Sequence, residues 1–168
     1  MNLFRLLPLT FLLLMTCSTP LASQDLTTFI LLRHAEKADT TRDTDLSKYG
    51  YERAERLKDM LQHLEIDAVY STNYVRTKET VEPLARHLGL PVQNYDYINP
   101  QSTVSNWLRR HDGDTVVISG HSNTTPDFTN VLMGRDVFEG SFHESDYGNL
   151  IFVLIQENGQ RKMMRLRY

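Results

Sequence analysis

Apolar residues along this chain follow two rhythms in alternation. Short continuous runs, Thr28-Phe29-Ile30-Leu31-Leu32, Asp67-Ala68-Val69-Tyr70 and Thr115-Val116-Val117-Ile118-Ser119, have the length of strands buried on both faces. Between them, residues 51–64 place Ala54, Leu57, Leu61 and Leu64 at helical spacing. Residues 75–88 predict a second helix, closed by Gly89 with Pro91 just beyond. Residues 92–97 predict a third strand, 103–110 a helix, and 125–133 another helix stopped at Gly134. Two final strands, 150–155 and 161–167, flank Asn158-Gly159, a strong hairpin signal. Strands alternating with helices over residues 24–168 predict one α/β domain. The expected architecture is a three-layer α/β/α sandwich, its sheet mostly parallel with an antiparallel hairpin at one edge. Ligand sites in such sheets form beyond the carboxyl ends of the strands.

Residues 1–23 have a different pattern. Arg5 gives a short positive start, residues 6–15 are apolar apart from Pro8 and Thr10, and small or turn-forming residues follow to Ser23. This is the three-part layout of a secretory signal peptide. The apolar run is about half of the ~20 residues a membrane-spanning helix needs, so no stable membrane span is expected. Cleavage after Ser23 is the preferred reading, with Ala22 also leaving a small residue at the cut. The alternative is a lipoprotein anchored at Cys17, where Leu14 fits the expected pattern but Met15 and Thr16 fit it poorly. A secreted or periplasmic location follows. Removal of this leader takes away Cys17, the only cysteine. The remaining domain has no disulfide and no thiol nucleophile, which excludes cysteine-based phosphatase chemistry.

Composition narrows the partners. The formal net charge is −3, and Lys and Arg are scattered without a basic block. Nucleic acid is therefore not an expected partner, and any bound anion must be gripped by a few placed cations. The chain does not indicate an oligomeric state.

Two of the strongest strands run out into histidine. The first continues through Leu32-Arg33-His34-Ala35-Glu36, the other through Ser119-Gly120-His121-Ser122-Asn123, and Arg76 falls in the first turn of the helix after the second strand. Arg33, His34, Arg76 and His121 should therefore project from one edge of the sheet. Such a cluster matches a phosphoryl group, whose oxygens take bidentate arginine forks. Backbone N–H groups at a helix start can add to the grip. An imidazole facing phosphorus can act as nucleophile, while the cations spread charge in the transition state and hold His34 unprotonated by repulsion. A zinc site from His34, Glu36 and His121 is opposed by the two arginines beside it. Glu36 reads as a structural acceptor for a site residue. His63, His87 and His111 sit near helix ends, where capping or solvation suits them. Trp107 and the tyrosines read as core and rim.

Residues 31–36 resemble the Arg-His-Gly-Glu signature of the histidine phosphatase superfamily, which includes the phosphoglycerate mutases. Residues 70–80 are similar to its second-arginine segment, 120–123 to its second-histidine segment, and 46–50 with Ala54 to its connector before the first helix. Four motifs in order span nearly the whole domain. The resemblance implies a phosphatase with His34 as phosphoacceptor and Arg33, Arg76 and His121 completing the pocket. Ser122 and Asn123 become candidate substrate contacts, and no metal or organic cofactor is implied. The substrate would be a small-molecule or macromolecular phosphomonoester or phosphoramidate. A phosphomutase, or a phosphate-binding module without turnover, is the alternative.

The sequence departs from the family in three places. Ala35 stands for the usual glycine, as in the small phosphohistidine-phosphatase-like branch. Ser122 stands where the acid-phosphatase branch has Asp. Residues 90–103 are too short for the insertion that carries the mutases' proton donor, and hold only Asp96. By the same resemblance, the strand at 150–155 runs antiparallel beside the first, so the loop 143–147 should overhang the pocket. Glu144 in that loop is the candidate proton donor, with orienting Arg33 or Arg76 as its plain alternative role; Asp96 and Asp127 are weaker choices.

Overall fold

The computed structural model describes residues 26–168. The leader expected at 1–23, with its cleavage and lipidation alternatives, lies outside the described residues. Ten elements follow in the order β1 (Leu26–Arg33), α1 (Lys48–Leu61), β2 (Ala68–Ser71), α2 (Val75–Leu88), β3 (Val92–Asn94), α3 (Pro100–Arg110), β4 (Thr115–Gly120), α4 (Thr124–Met133), β5 (Asn149–Gln156) and β6 (Arg161–Arg167). They form one six-stranded sheet in the order β3-β2-β4-β1-β5-β6. β1 to β4 are mutually parallel, and β5 and β6 add the antiparallel pair. The mostly parallel α/β sandwich with its edge hairpin is therefore present.

Side-chain alternation along the central strands builds two cores. Phe29 and Leu31 of β1 face a cluster with Trp107 of α3 and Phe128 and Leu132 of α4. Ile30 and Leu32 face Leu57 and Leu61 of α1 and Val81 and Leu84 of α2. Both sets are fully buried, which explains why β1 reads as an unbroken apolar run. β6, by contrast, is exposed along most of its length and carries Arg161, Lys162, Arg165 and Arg167. Charges of this kind discourage further strands from adding to an open edge.

Element ends depart from the sequence expectation where capping or packing takes over. α1 begins at Lys48 rather than 51, because the Ser47 side chain accepts from the Gly50 N–H and starts the helix early. It ends at Leu61, and Leu64 is left exposed. α3 begins at Pro100 rather than 103, with Asn99 accepting from the Ser102 N–H. β3 stops at Asn94 because Tyr95 turns in to pack edge-on against Trp107 and Phe128.

One close approach fixes the chain leaving β1. A Cβ on Gly50 would lie 2.3 Å from the Glu36 carbonyl oxygen, a backbone atom that cannot swing aside. Ser47 N–H donates to that same carbonyl at 2.8 Å. Gly50→Ala should cost about 1–3 kcal/mol by overpacking, read as a lower urea midpoint with an unchanged slope.

Candidate active site

β1 and β4 pair in parallel register, with Arg33 opposite Gly120. The next residue on each strand is the histidine, and the His34 N–H donates to the Gly120 carbonyl at 2.9 Å. From this point β1 leads toward the α1/α2 face and β4 toward the α3/α4 face, which makes the crevice between them a switch point of the sheet. The two imidazole rings stand there with centroids 5.5 Å apart and nearly edge-to-face.

Hydrogen bonds assign each ring a tautomer. His34 Nδ1 lies 2.7 Å from the Ala35 carbonyl, which can only accept, so Nδ1 carries the proton and Nε2 keeps its lone pair. His121 is the reverse. Its Nδ1 lies 3.4 Å from the Arg76 Nη2 donor, and its Nε2 donates to Thr72 Oγ1 at 3.0 Å. Thr72 passes the chain to Thr77 Oγ1, which donates to the Tyr74 carbonyl. Burial pushes the His34 pKa down to about 3, with Arg33, Arg76 and His121 adding repulsion. Burial and the same two arginines lower His121 to about 4. Repulsion from the arginines is thus the lesser cause, behind desolvation.

The arginines are held differently. Arg33 is 1% exposed. Its Nη1 donates to the carbonyls of His143 and Glu144 at 3.0 Å and more distantly to that of Asp146, while Nη2 meets Glu144 Oε2 at 2.9 Å. Tyr147 covers the guanidinium at 4.2 Å. Arg76 donates from Nη1 to the Arg42 carbonyl and lies 4.6 Å from the Tyr74 ring. In both arginines the buried Nε has no protein partner.

The loop 143–147 does overhang the cluster, but the carboxylate in it is committed. Glu144 Oε1 accepts from Ser122 Oγ at 3.2 Å, and the Arg33 charge holds its pKa below the usual carboxylate range. Of the two arginines it could orient, it contacts Arg33. Asn123 is exposed at the start of α4 and, with Tyr74, Arg76, Tyr97, His121 and Thr124, lines a hollow of about 200 Å³. Asp96 accepts from the Ile98 N–H, and Asp127 is exposed on α4. Glu36 accepts a bidentate pair from Arg53, on α1, rather than serving a site residue. His63 and His87 are exposed. His111 is buried between the Tyr70 hydroxyl and Asp114.

Sequence reasoning passed over Thr72, Thr80, Tyr74 and Tyr147 as site residues. Thr80 Oγ1 accepts from the Ala35 N–H and donates to the Arg76 carbonyl, tying the exit of β1 to the second arginine. Thr72 and Thr80 lie inside the recognised arginine segment, where a hydroxyl at a strand end and another one turn beyond Arg76 were the available signal. Tyr147 gave none.

The sequence model of the histidine phosphatase superfamily (branch 1) matches residues 29–99. That stretch holds Arg33, His34, Thr72 and Arg76. Over that stretch the chain has the sequence pattern of this superfamily. Among curated proteins, a probable phosphatase of Schizosaccharomyces pombe is 30% identical over 79 residues, which cover 42% of this chain and 28% of that one. The chain thus matches little more than a quarter of that relative's length. Similar folds include YhfR of Bacillus stearothermophilus, with a TM-score of 0.67 at 17% identity over 81% of this chain and 94% of that one. The protein histidine phosphatase SixA, complexed with tungstate, gives 0.65 at 18% identity over 83% and 96%. A phosphoserine phosphatase of Entamoeba histolytica, in complex with 3-phosphoglyceric acid, gives 0.65 at 12% over 84% and 97%. Among the described residues, no helix is long and apolar enough to cross a membrane.

The depressed imidazole pKa values couple the site to stability. An unfolded chain takes up a proton on each histidine near pH 6.5, whereas the folded chain resists until about 4 and 3. The resulting stabilisation is complete above about pH 6.5 and is lost as the pH falls through those values. Melting temperatures in pH steps should fall over this window, and a His34→Gln/His121→Gln variant should give a flatter acid limb.

Proposed function

We propose that this chain is an exported phosphatase that hydrolyses phosphomonoesters or phosphoramidates through a phosphohistidine on His34. The observation that carries this reading is the pair of unprotonated imidazoles set against two arginines whose Nε–H groups have no protein partner. His34 Nε2 would attack phosphorus and form the N–P bond as the bond to the leaving group breaks, while the Ala35 carbonyl keeps Nδ1–H in place. Arg33 and Arg76 would hold the equatorial oxygens, with His121 completing the pocket and Ser122 and Asn123 at the rim. Water would then attack phosphorus, breaking the N–P bond and releasing inorganic phosphate. The curated relative named as a probable phosphatase and the phosphatase folds support the general activity. The signal-peptide pattern of residues 1–23 supports a secreted or periplasmic site of action. The 90–103 segment is too short to build a cap over the site, so an open pocket admitting bulky substrates fits best, among them envelope sugar phosphates or phosphorylated proteins.

Purified domain mixed with p-nitrophenyl phosphate and with a phosphoramidate should hydrolyse both between pH 4 and 8. His34→Ala should abolish turnover, and a labelled substrate should leave an acid-labile, alkali-stable adduct on His34. No turnover of either compound would favour the binding-module reading, and full activity in His34→Ala would remove the mechanism.

Glu144 acts in this reading through Arg33, since its carboxylate is held ionised. Glu144→Gln should therefore lower kcat/KM for an alkyl phosphate and for p-nitrophenyl phosphate by the same factor. A loss of ~10²-fold or more confined to the alkyl phosphate would instead give Glu144 the proton.

A further inference from the structure

A ring-lined hollow adjoins the imidazole–arginine cluster. Tyr74 stands edge-on to His121 with centroids 5.0 Å apart, and Tyr97 stands edge-on at 6.0 Å. The two tyrosines lean together, ring centroids 6.3 Å apart and hydroxyls 3.4 Å apart. Arg76 lies over the Tyr74 ring, so the cation that belongs to the phosphate site also braces this wall. With Asn123 and Thr124 they line the open hollow of about 200 Å³. That space suits one flat ring held edge-to-face or offset on a tyrosine.

The proton inventory points the same way. Glu144 is held ionised by Arg33, both imidazoles are neutral down to about pH 4, and the second nitrogen of each is already bonded. An alkoxide leaving group needs a proton as it departs, a contribution of typically 10²–10⁴-fold in rate. A phenolate, whose acid has a pKa near 10 like tyrosine, departs with far less help. We propose that the hollow beside His121 is a ring subsite and that the substrates are phosphate esters of phenols. This rests on the phosphatase reading and adds the substrate class to it.

Four substrates separate the parts. Acetyl phosphate has a good leaving group and no ring, and so reports the phosphatase reading alone. Phenyl phosphate should exceed 2-glycerol phosphate in kcat/KM by at least 10²-fold. Benzyl phosphate, a ring on an alkoxide, should show a lower KM than 2-glycerol phosphate but a similar kcat. A phosphotyrosyl peptide run beside phenyl phosphate tells whether the ring is taken from a polypeptide or as a free ester. Because phenolate leaves well on its own, the deciding measurement is a variant. Tyr97→Ala should lower the ratio of phenyl to acetyl phosphate kcat/KM by about three- to tenfold, the scale of one aromatic contact. Tyr97→Leu, which keeps apolar bulk against the core, should do the same if the alanine variant folds poorly. A ratio unchanged in the folded variants, or equal kcat/KM for phenyl and glycerol phosphates, overturns the ring subsite while acetyl phosphate turnover keeps the phosphatase reading. Loss of acetyl phosphate turnover in the wild type overturns both.

Discussion

A full positive charge sits at the end of β1 with almost no access to water, and the rest of the site is arranged around keeping it there. Unpaired, a guanidinium at such a depth would cost several kcal/mol. The sheet topology supplies the remedy. β5 returns antiparallel to β1, so the chain entering β5 must cross the end of β1, where its carbonyls and Glu144 meet Arg33. Glu144 is 74% exposed, and water screens its share of the ion pair. The buried carbonyls therefore carry much of the compensation. With that charge fixed, burial and repulsion together keep both neighbouring imidazoles neutral.

Positioning is shared among elements far apart in sequence. Parallel pairing of β1 with β4 sets the two histidines side by side, and Thr80 joins the exit of β1 to the helix that carries Arg76. The hydroxyl chain from His121 through Thr72 and Thr77 ends on a backbone carbonyl of the same segment. Arg33, Arg76 and His121 are thus each braced by a group from another segment of the chain, which is how a handful of polar atoms at a sheet edge can hold one geometry.

The parts of this molecule legible in its sequence are those governed by periodicity. Strands buried on both faces, such as β1 and β4, announce themselves as apolar runs, and the residues just beyond them mark the crevice. Where a single cap or an aromatic contact decides, the pattern is silent: Ser47 starts α1 three residues early, and Tyr95 ends β3 by turning inward. The cluster of Arg33, His34, Arg76 and His121 could be placed on one edge from strand ends alone. The tautomers, the Thr72 relay and the Tyr147 cover could not, because they depend on side-chain distances that no spacing encodes. The partner of Glu36 was missed for the same reason, since Arg53 lies on a different element and faces it only after α1 has packed.

Arg33 leans chiefly on backbone oxygen. Three of its four acceptors belong to the main chain of residues 143, 144 and 146. Every amino acid offers that same oxygen, so the side chains of this roof other than Glu144 and Tyr147 are at liberty to change while the path of the chain is not. The roof is therefore a place where heredity can rewrite the rim that greets a substrate without unsettling the charge beneath it. New selectivities would arise there by substitution, whereas an insertion or deletion that shifted the carbonyls would strand the arginine.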